Sequence, residues 1–196
     1  MKKSIKIIIA VLIIIVIAVI VLAFTMNKNE ETSLVQVSTS EDLKELIEQI
    51  YEGQQIKTPT LETREIEISD SSSVKFLTGL ESGEKFEFLV VSEPIISPSP
   101  YSFVLAKVKS DVDANEVAKE MSENVNPRKW ISVAAQRIYA TSSGDVVCLI
   151  MASEENAKLV YERFKEVAGN IGEEYTKTLE DVKMDSNLLI MPVPVQ

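Results

Sequence analysis

The hydrophobic pattern of this chain changes abruptly near residue 26. Residues 7–24 form an unbroken run of isoleucine, valine, leucine, alanine and phenylalanine. With Thr25 and Met26 the uncharged stretch is 20 residues long, and about 1.5 Å per residue makes roughly 30 Å of helix, the thickness of a bilayer's hydrocarbon core. Residues 1–26 are therefore predicted to hold a short cytoplasmic N-terminus and a transmembrane anchor. A cleaved signal peptide, with a cleavage motif at residues 21–23, is the alternative.

Charges on the two sides of the apolar run predict its orientation. Lysines at positions 2, 3 and 6 precede the run, whereas beyond it Lys28 is offset by Glu30 and Glu31. Positively charged flanks stay in the cytoplasm. We therefore expect a single-pass protein of the cell membrane, with its N-terminus inside the cell and its domain outside.

After a polar linker at residues 27–40, the periodicity predicts an extracytoplasmic domain over residues 41–169. Helices are indicated by an acidic or serine cap followed by apolar residues three or four apart, and strands by alternation or short apolar runs. Residues 170–196 remain as a C-terminal extension of ambiguous pattern. The predicted helices are 41–52, 71–80, 114–126 and 154–168; the predicted strands are 64–69, 86–91, 103–108, 130–139 and 146–151, with a turn at 141–144 before the last.

The order of these elements predicts the fold class. From residue 86 onward, strand, strand and helix occur twice, and residues 102–110 resemble residues 144–152 in layout. We expect an α+β domain in which an antiparallel sheet of about four strands carries its helices on one face. The repeat leaves open a duplicated strand-strand-helix unit.

Composition excludes several classes of function. Without the three lysines before the anchor, the chain's 20 basic residues fall to 17 against 30 acidic ones, a net charge of −13. Nucleic-acid binding needs a basic surface, so no nucleic-acid partner is expected. The chain has no histidine and one cysteine, which removes the commonest general base, the commonest metal ligand and any intramolecular disulfide.

The remaining motifs are better explained by structure than by chemistry. Asp111-x-Asp113-x-Asn115 starts like a calcium loop but lacks the glycine and the final glutamate, so a helix start is the preferred interpretation. Cys148 lies in an apolar strand and is predicted to be a buried thiol. We therefore predict no catalytic, metal or cofactor site.

One segment departs from the acidic exterior. Arg128, Lys129 and Trp130 follow Pro127, where a helix gives way to a strand. Trp130 is either a core or boundary residue, or part of an exposed aromatic and basic patch that contacts a partner. The loop at residues 97–101 is a second candidate for such contact.

The same segment carries a resemblance. Val125–Ile131 (Val-Asn-Pro-Arg-Lys-Trp-Ile), with Val91–Ile95 and Ser102–Val108, resembles an uncharacterised family of Gram-positive cell-envelope proteins, a domain of unknown function, over roughly residues 40–168. The resemblance implies location and domain boundaries but no activity. In that family an aspartate commonly precedes the proline, where this chain has Asn126, and the lipid-attachment cysteine of some relatives is missing here.

Two classes of function follow from these observations. The first is a membrane-anchored binding or assembly module outside the cell, without catalysis, whose partner is another envelope protein. The alternative is a cell-envelope enzyme that uses carboxylates, acting on peptidoglycan. An exposed apolar patch near Trp130 would favour the first, and two close acidic side chains in a cleft would favour the second.

Overall fold

A computed structural model describes residues 35–96 and 99–181 of the chain. The predicted anchor at residues 7–24, most of the linker and residues 182–196 lie outside the described residues. No helix within the two described ranges is long and apolar enough to cross a membrane.

The described residues form four α-helices and six strands. A capping box starts the first helix, because Thr39 accepts from the backbone N–H of Asp42 and the Asp42 carboxylate accepts from that of Thr39. The helices are α1 (Ser40–Tyr51), α2 (Ser71–Thr78), α3 (Ala114–Asn124) and α4 (Glu154–Ala168); the strands are β1 (Leu61–Glu65), β2 (Phe86–Pro94), β3 (Ser102–Val108), β4 (Arg137–Ser143), β5 (Val146–Ala152) and β6 (Tyr175–Thr178).

The strands form one antiparallel sheet in the order β1-β2-β3-β5-β4-β6. The predicted α+β class and antiparallel sheet are confirmed, but the described residues contribute six strands rather than about four. The two edge strands are short and polar, with the sequences Leu-Glu-Thr-Arg-Glu and Tyr-Thr-Lys-Thr. Neither shows the apolar alternation from which a strand is predicted. The predicted strand at 64–69 begins three residues too late.

Helices cover both faces of the sheet, so the prediction of helices on one face is wrong. Val104 and Leu149 face a core built with α2 and α3, whereas Phe103 and Cys148 face a second core built with α1 and α4. The physical reason lies in the two central strands. Every residue of β5, and all but one of β3, is buried, and a strand without a polar side needs cover on both faces.

The strand-strand-helix order does recur, but α3 and α4 lie on opposite faces. A rotation that exchanges the antiparallel neighbours β3 and β5 has its axis normal to the sheet, and such a rotation keeps each helix on its own face. Duplication of one folded unit therefore does not account for the arrangement.

The hairpin between β4 and β5 differs from the prediction at both ends. Residues 130–136 are irregular, and β4 begins at Arg137. The predicted turn residues 141–143 continue the strand, and the reversal occurs at Gly144-Asp145, where Gly144 has a φ of 58°. Ser142 remains in the strand because its hydroxyl donates to Asn115 Oδ1 at 2.8 Å, a partner that no local pattern reveals.

Asn115 also fixes β6, which falls within the predicted C-terminal extension. Its Oδ1 accepts from the backbone N–H of Glu173 at 2.8 Å, and Gly172 donates to the Ser142 carbonyl at 2.8 Å. A Cβ at position 172 would overlap both the Asn115 and the Ser142 side chains. Glycine is therefore required where this segment turns into β6.

Candidate functional site

A cleft of about 500 Å³ opens at the β1 edge of the sheet, on the face covered by α2 and α3. It combines charged side chains with apolar ones, and three large exposed isoleucines of the described residues, Ile95, Ile96 and Ile131, lie in it or beside it. We call it the edge cleft. Its lining residues are Glu62, Arg64, Phe76, Glu93, Pro94, Ile95, Ser99, Lys129, Trp130 and Ile131.

The strands place the charged residues of the edge cleft. Glu62 is paired with Glu93, and Arg64 with Val91, in the antiparallel register of β1 and β2. Residues directly opposite each other share a face of the sheet, and Val91 belongs to the core under α2 and α3. Glu62, Arg64 and Glu93 therefore all project on the side of the cleft.

Residues 125–136 supply the other wall through a structured loop. Asn126 Oδ1 accepts from the backbone N–H of Arg128 at 2.9 Å, and the Pro127 carbonyl accepts from that of Ala135 at 2.8 Å. Ser132 has a φ of 64°, a left-handed conformation uncommon outside glycine. The role of Asn126 here is to close this turn through an oxygen acceptor, which an aspartate would also provide.

Lys129 points inward and forms the floor of the edge cleft. Its side chain is 2 % exposed, and its ammonium lies 3.0 Å from Glu93 Oε1 and 3.0 Å from Ser102 Oγ. The same nitrogen lies 4.7 Å from the centre of the Phe76 ring and 5.1 Å from that of Trp130. Burial lowers the pKa of Lys129, and the neighbouring Glu93 carboxylate opposes that change.

Glu93 is held by two cations. Its second oxygen accepts from Arg64 Nη2 at 3.3 Å, and its side chain is 17 % exposed against 39 % for Arg64. Together with Lys129, the two residues form a charged network in which each carboxylate oxygen has a partner. Glu62 is exposed and forms no ion pair within residues 35–96 and 99–181. The four charges of the cleft sum to zero.

The rim of the edge cleft is apolar. Ile95 is 61 % exposed and Ile131 is 74 % exposed, and Ile96 beside them is 71 % exposed. Isolated exposed isoleucines are ordinary, but several around one concavity are typical of a contact surface. The cleft thus has a floor of paired charges and an apolar rim.

The structure separates the three residues that sequence analysis grouped as a contact patch. Lys129 is buried in the floor, Trp130 is partly buried against the core under α2 and α3, and Arg128 is exposed but does not line the cleft. Sequence analysis missed Glu93 and Arg64. A signal in the sequence that could have indicated the cleft is the adjacent apolar pair Ile95-Ile96, which lies at the end of a strand and next to a proline-rich loop.

The geometry gives little support to catalysis at this cleft. Glu62 and Glu93 are cross-strand neighbours rather than residues facing each other across a gap, and Glu93 is already paired twice. Ser102 and Lys129 resemble a serine–lysine pair, but Ser102 is fully buried and the ammonium is held by Glu93. A substrate cannot reach that hydroxyl.

Two other predicted chemical candidates have structural roles. Asp113 caps α3, because one of its oxygens accepts from the backbone N–H groups of Asn115 and Glu116. In the described part of the chain no cluster of acidic or cysteine side chains is arranged to hold a metal ion. Cys148 is fully buried, as predicted, and burial raises the pKa of its thiol.

The edge cleft combines paired charges with aromatic and exposed aliphatic side chains. A larger hollow of about 670 Å³ follows α1, but one helix alone supplies its lining, with three glutamates, Gln49 and Tyr51. No protein-family model, curated protein or solved structure matches this chain. The resemblance to a cell-envelope family therefore stays a prediction, and the chemistry of the cleft carries the functional argument.

Proposed function

We propose that this domain is a non-catalytic binding module, held outside the cell by its N-terminal anchor, that contacts another envelope protein through the edge cleft. The observation that carries the proposal is the apolar rim, Ile95 and Ile131, above a floor whose charges are already paired. A cleft of this kind offers contact area and shape, whereas an active site needs groups that remain free to react.

The energetics favour a contact role for the rim. Burying a whole isoleucine side chain contributes roughly 2 kcal/mol or more. Ile95 and Ile131 are 61 % and 74 % exposed, so covering both would contribute about 3 kcal/mol before the costs of association. The floor needs no rearrangement, because Lys129 already neutralises Glu93 from below.

The test is loss of a specific partner. The double variant Ile95→Ser, Ile131→Ser should bind the partner roughly thirtyfold more weakly, which corresponds to about 2 kcal/mol at an interface anchor. The amount of partner captured by in-cell crosslinking measures this loss. Glu123→Ser, at an exposed position of α3, is the matched control and should leave capture unchanged. Equal capture by all three proteins would show that the rim is ordinary surface.

The enzyme alternative has a separate readout. The purified protein would turn over a peptidoglycan fragment, and a single Asp or Glu substitution would abolish that turnover. We expect no turnover. Reproducible turnover that depends on one carboxylate would replace the binding proposal.

The predicted topology is tested independently. Protease added to intact cells stripped of their wall should digest the domain, because the lysines before residue 7 keep only the N-terminus inside. Protection of the domain until the membrane is broken would contradict the outside location.

A further inference from the structure

Strand β1 lies at one edge of the sheet that the described residues form, and its backbone groups are regularly spaced. Thr60 accepts from the backbone N–H of Ile95, and Ile66 donates to Leu89, so the even-numbered residues of this strand bond to β2. In an antiparallel ladder the intervening residues direct their N–H and C=O groups away from the partner strand. The backbone groups of residues 61, 63 and 65 therefore point away from β2, on the side where the sheet formed by residues 35–96 and 99–181 has no further strand.

Two side chains of this edge, Glu62 and Arg64, are complementary to each other across a twofold axis, whereas Leu61 would face Glu65. When two copies of β1 pair antiparallel about Thr63, that residue faces its own copy and Glu62 faces Arg64 of the second chain, twice. The outward groups of residues 61, 63 and 65 then fall in register and form up to six hydrogen bonds. Opposite charges directly across two strands stabilise the pairing.

We infer that the occupant of this edge is a second copy of the chain, joined through β1 into a continuous twelve-stranded sheet. Glu62 is exposed and lacks an ion pair among the described residues, and Arg64 is 39 % exposed beside Glu93. Glu62 is thus available for the cross-strand contact, and Arg64 would make it in addition to its 3.3 Å contact with Glu93. A symmetric interface requires self-complementarity, and this register provides it.

Charged residues on an edge strand commonly prevent pairing with another chain, and this is the competing explanation for the charges on β1. Edge protection works when like charges meet or when a charge points into the contact. Here the sequence Leu-Glu-Thr-Arg-Glu places opposite signs at equal distances on each side of Thr63. The other edge strand, with the sequence Tyr-Thr-Lys-Thr, places no opposite charges in this way.

The symmetry axis of the proposed dimer runs normal to the sheet through Thr63. Both copies then present their α1 and α4 layers on one side, and Val35 and Val37 pack with that layer. The two edge clefts would adjoin on the opposite side. The dimer does not depend on the cleft binding a partner.

Crosslinking of the full-length chain in its native membrane tests the pairing. Thr63→Cys places two thiols across the axis, where paired Cα atoms lie about 5.5 Å apart, so a short bismaleimide should produce a covalent dimer. Cys148 is buried and does not compete. Thr176→Cys, on the exposed surface of β6, is the control and should give at most a tenth of that dimer.

Charge exchange then tests the register in the Thr63→Cys background. Glu62→Arg alone sets like charges across the axis twice, as does Arg64→Glu alone, and each should reduce the covalent dimer at least tenfold. The double exchange restores opposite signs and should restore it. Mixing the two single variants should also restore it, which shows that both are folded.

Three results would overturn the inference. They are absence of a Thr63→Cys dimer, insensitivity of that dimer to the single charge changes, and failure of both restorations. A Thr63→Cys product that contains a different protein would assign the edge to a partner's strand instead. The rim substitutions Ile95→Ser and Ile131→Ser leave the dimer intact, so failure of the cleft proposal and failure of this one are distinguishable.

Discussion

The charged floor of the edge cleft makes a quantitative prediction about stability. Glu93→Gln leaves the Lys129 ammonium, on a side chain only 2 % exposed, without a negative partner. Removing one member of a buried ion pair typically costs about 3 kcal/mol, because the remaining charge stays buried. Lys129→Met should cost much less, about 1 kcal/mol, because Glu93 keeps Arg64 at 3.3 Å and the methionine fills the space between Phe76 and Trp130.

The two changes should be strongly non-additive. In the Lys129→Met background no buried ammonium would lose its negative partner when Glu93 is changed. The double variant Lys129→Met, Glu93→Gln should therefore have a free energy of unfolding close to that of Lys129→Met alone. Urea unfolding of the three variants, followed by the fluorescence of the single tryptophan beside this network, measures all the differences. Equal costs for the two single changes, or a double variant equal to their sum, would refute the assignment of Lys129 as a buried partner of Glu93.

Three further predictions concern the rest of the domain. Gly79→Ala should lose about 2 kcal/mol or more, because a φ of 78° is combined with overlap on the Asn124 backbone, whereas Gly53→Ala, with a φ of 72° and open space, should lose only about 1 kcal/mol in the same urea titration. Asp42→Asn should destabilise the domain at neutral pH. Backbone N–H groups lower the pKa of the Asp42 carboxyl below 3.8. The stability that the Asp42 carboxylate contributes is therefore present above pH 3.8 and is lost as the pH falls through its lower pKa in the folded state. The stabilities of the wild-type protein and Asp42→Asn, measured by acid unfolding, should therefore converge at low pH. Cys148 should resist maleimide until the domain unfolds, and Cys148→Ala should cost about 1 kcal/mol.

The helices could be predicted because their signals are local. Asp70, Asp113 and Ser153 each cap a helix through their own side chains. Apolar spacing in the following turns then indicates the buried face. Four of the eight helix ends consequently agree with the prediction, and the other four differ from it by one or two residues.

The sheet was less predictable because its signals are not local. The apolar sequence of β5 indicates that the strand is buried. It does not indicate which helices, distant in sequence, cover its two faces. Residues 130–139 were predicted to form one strand, yet residues 130–136 form a loop, which is fixed by the hydrogen bond between Ala135 and Pro127 and by the contact of Lys129 with Glu93. In this loop, tertiary contacts override local strand propensity.

The candidate site also combines features with local sequence signals and features that depend on contacts between residues distant in sequence. Sequence analysis singled out the segment Arg128–Trp130 because it interrupts an acidic surface, and two of its residues, Lys129 and Trp130, line the edge cleft. It could not show that Lys129 turns inward, because that depends on a carboxylate 36 residues away in sequence. Nor could it place Ile131 beside Ile95, since those residues meet only across the cleft.

The proposal that the edge cleft binds a protein is tested most directly by photo-crosslinking in living cells. A photoreactive amino acid at position 131, on the rim, should give one defined adduct with a different envelope protein. The same probe at position 123, exposed on α3, should not give that adduct. No adduct at position 131, or the same adducts at both positions, would contradict a binding role for the cleft.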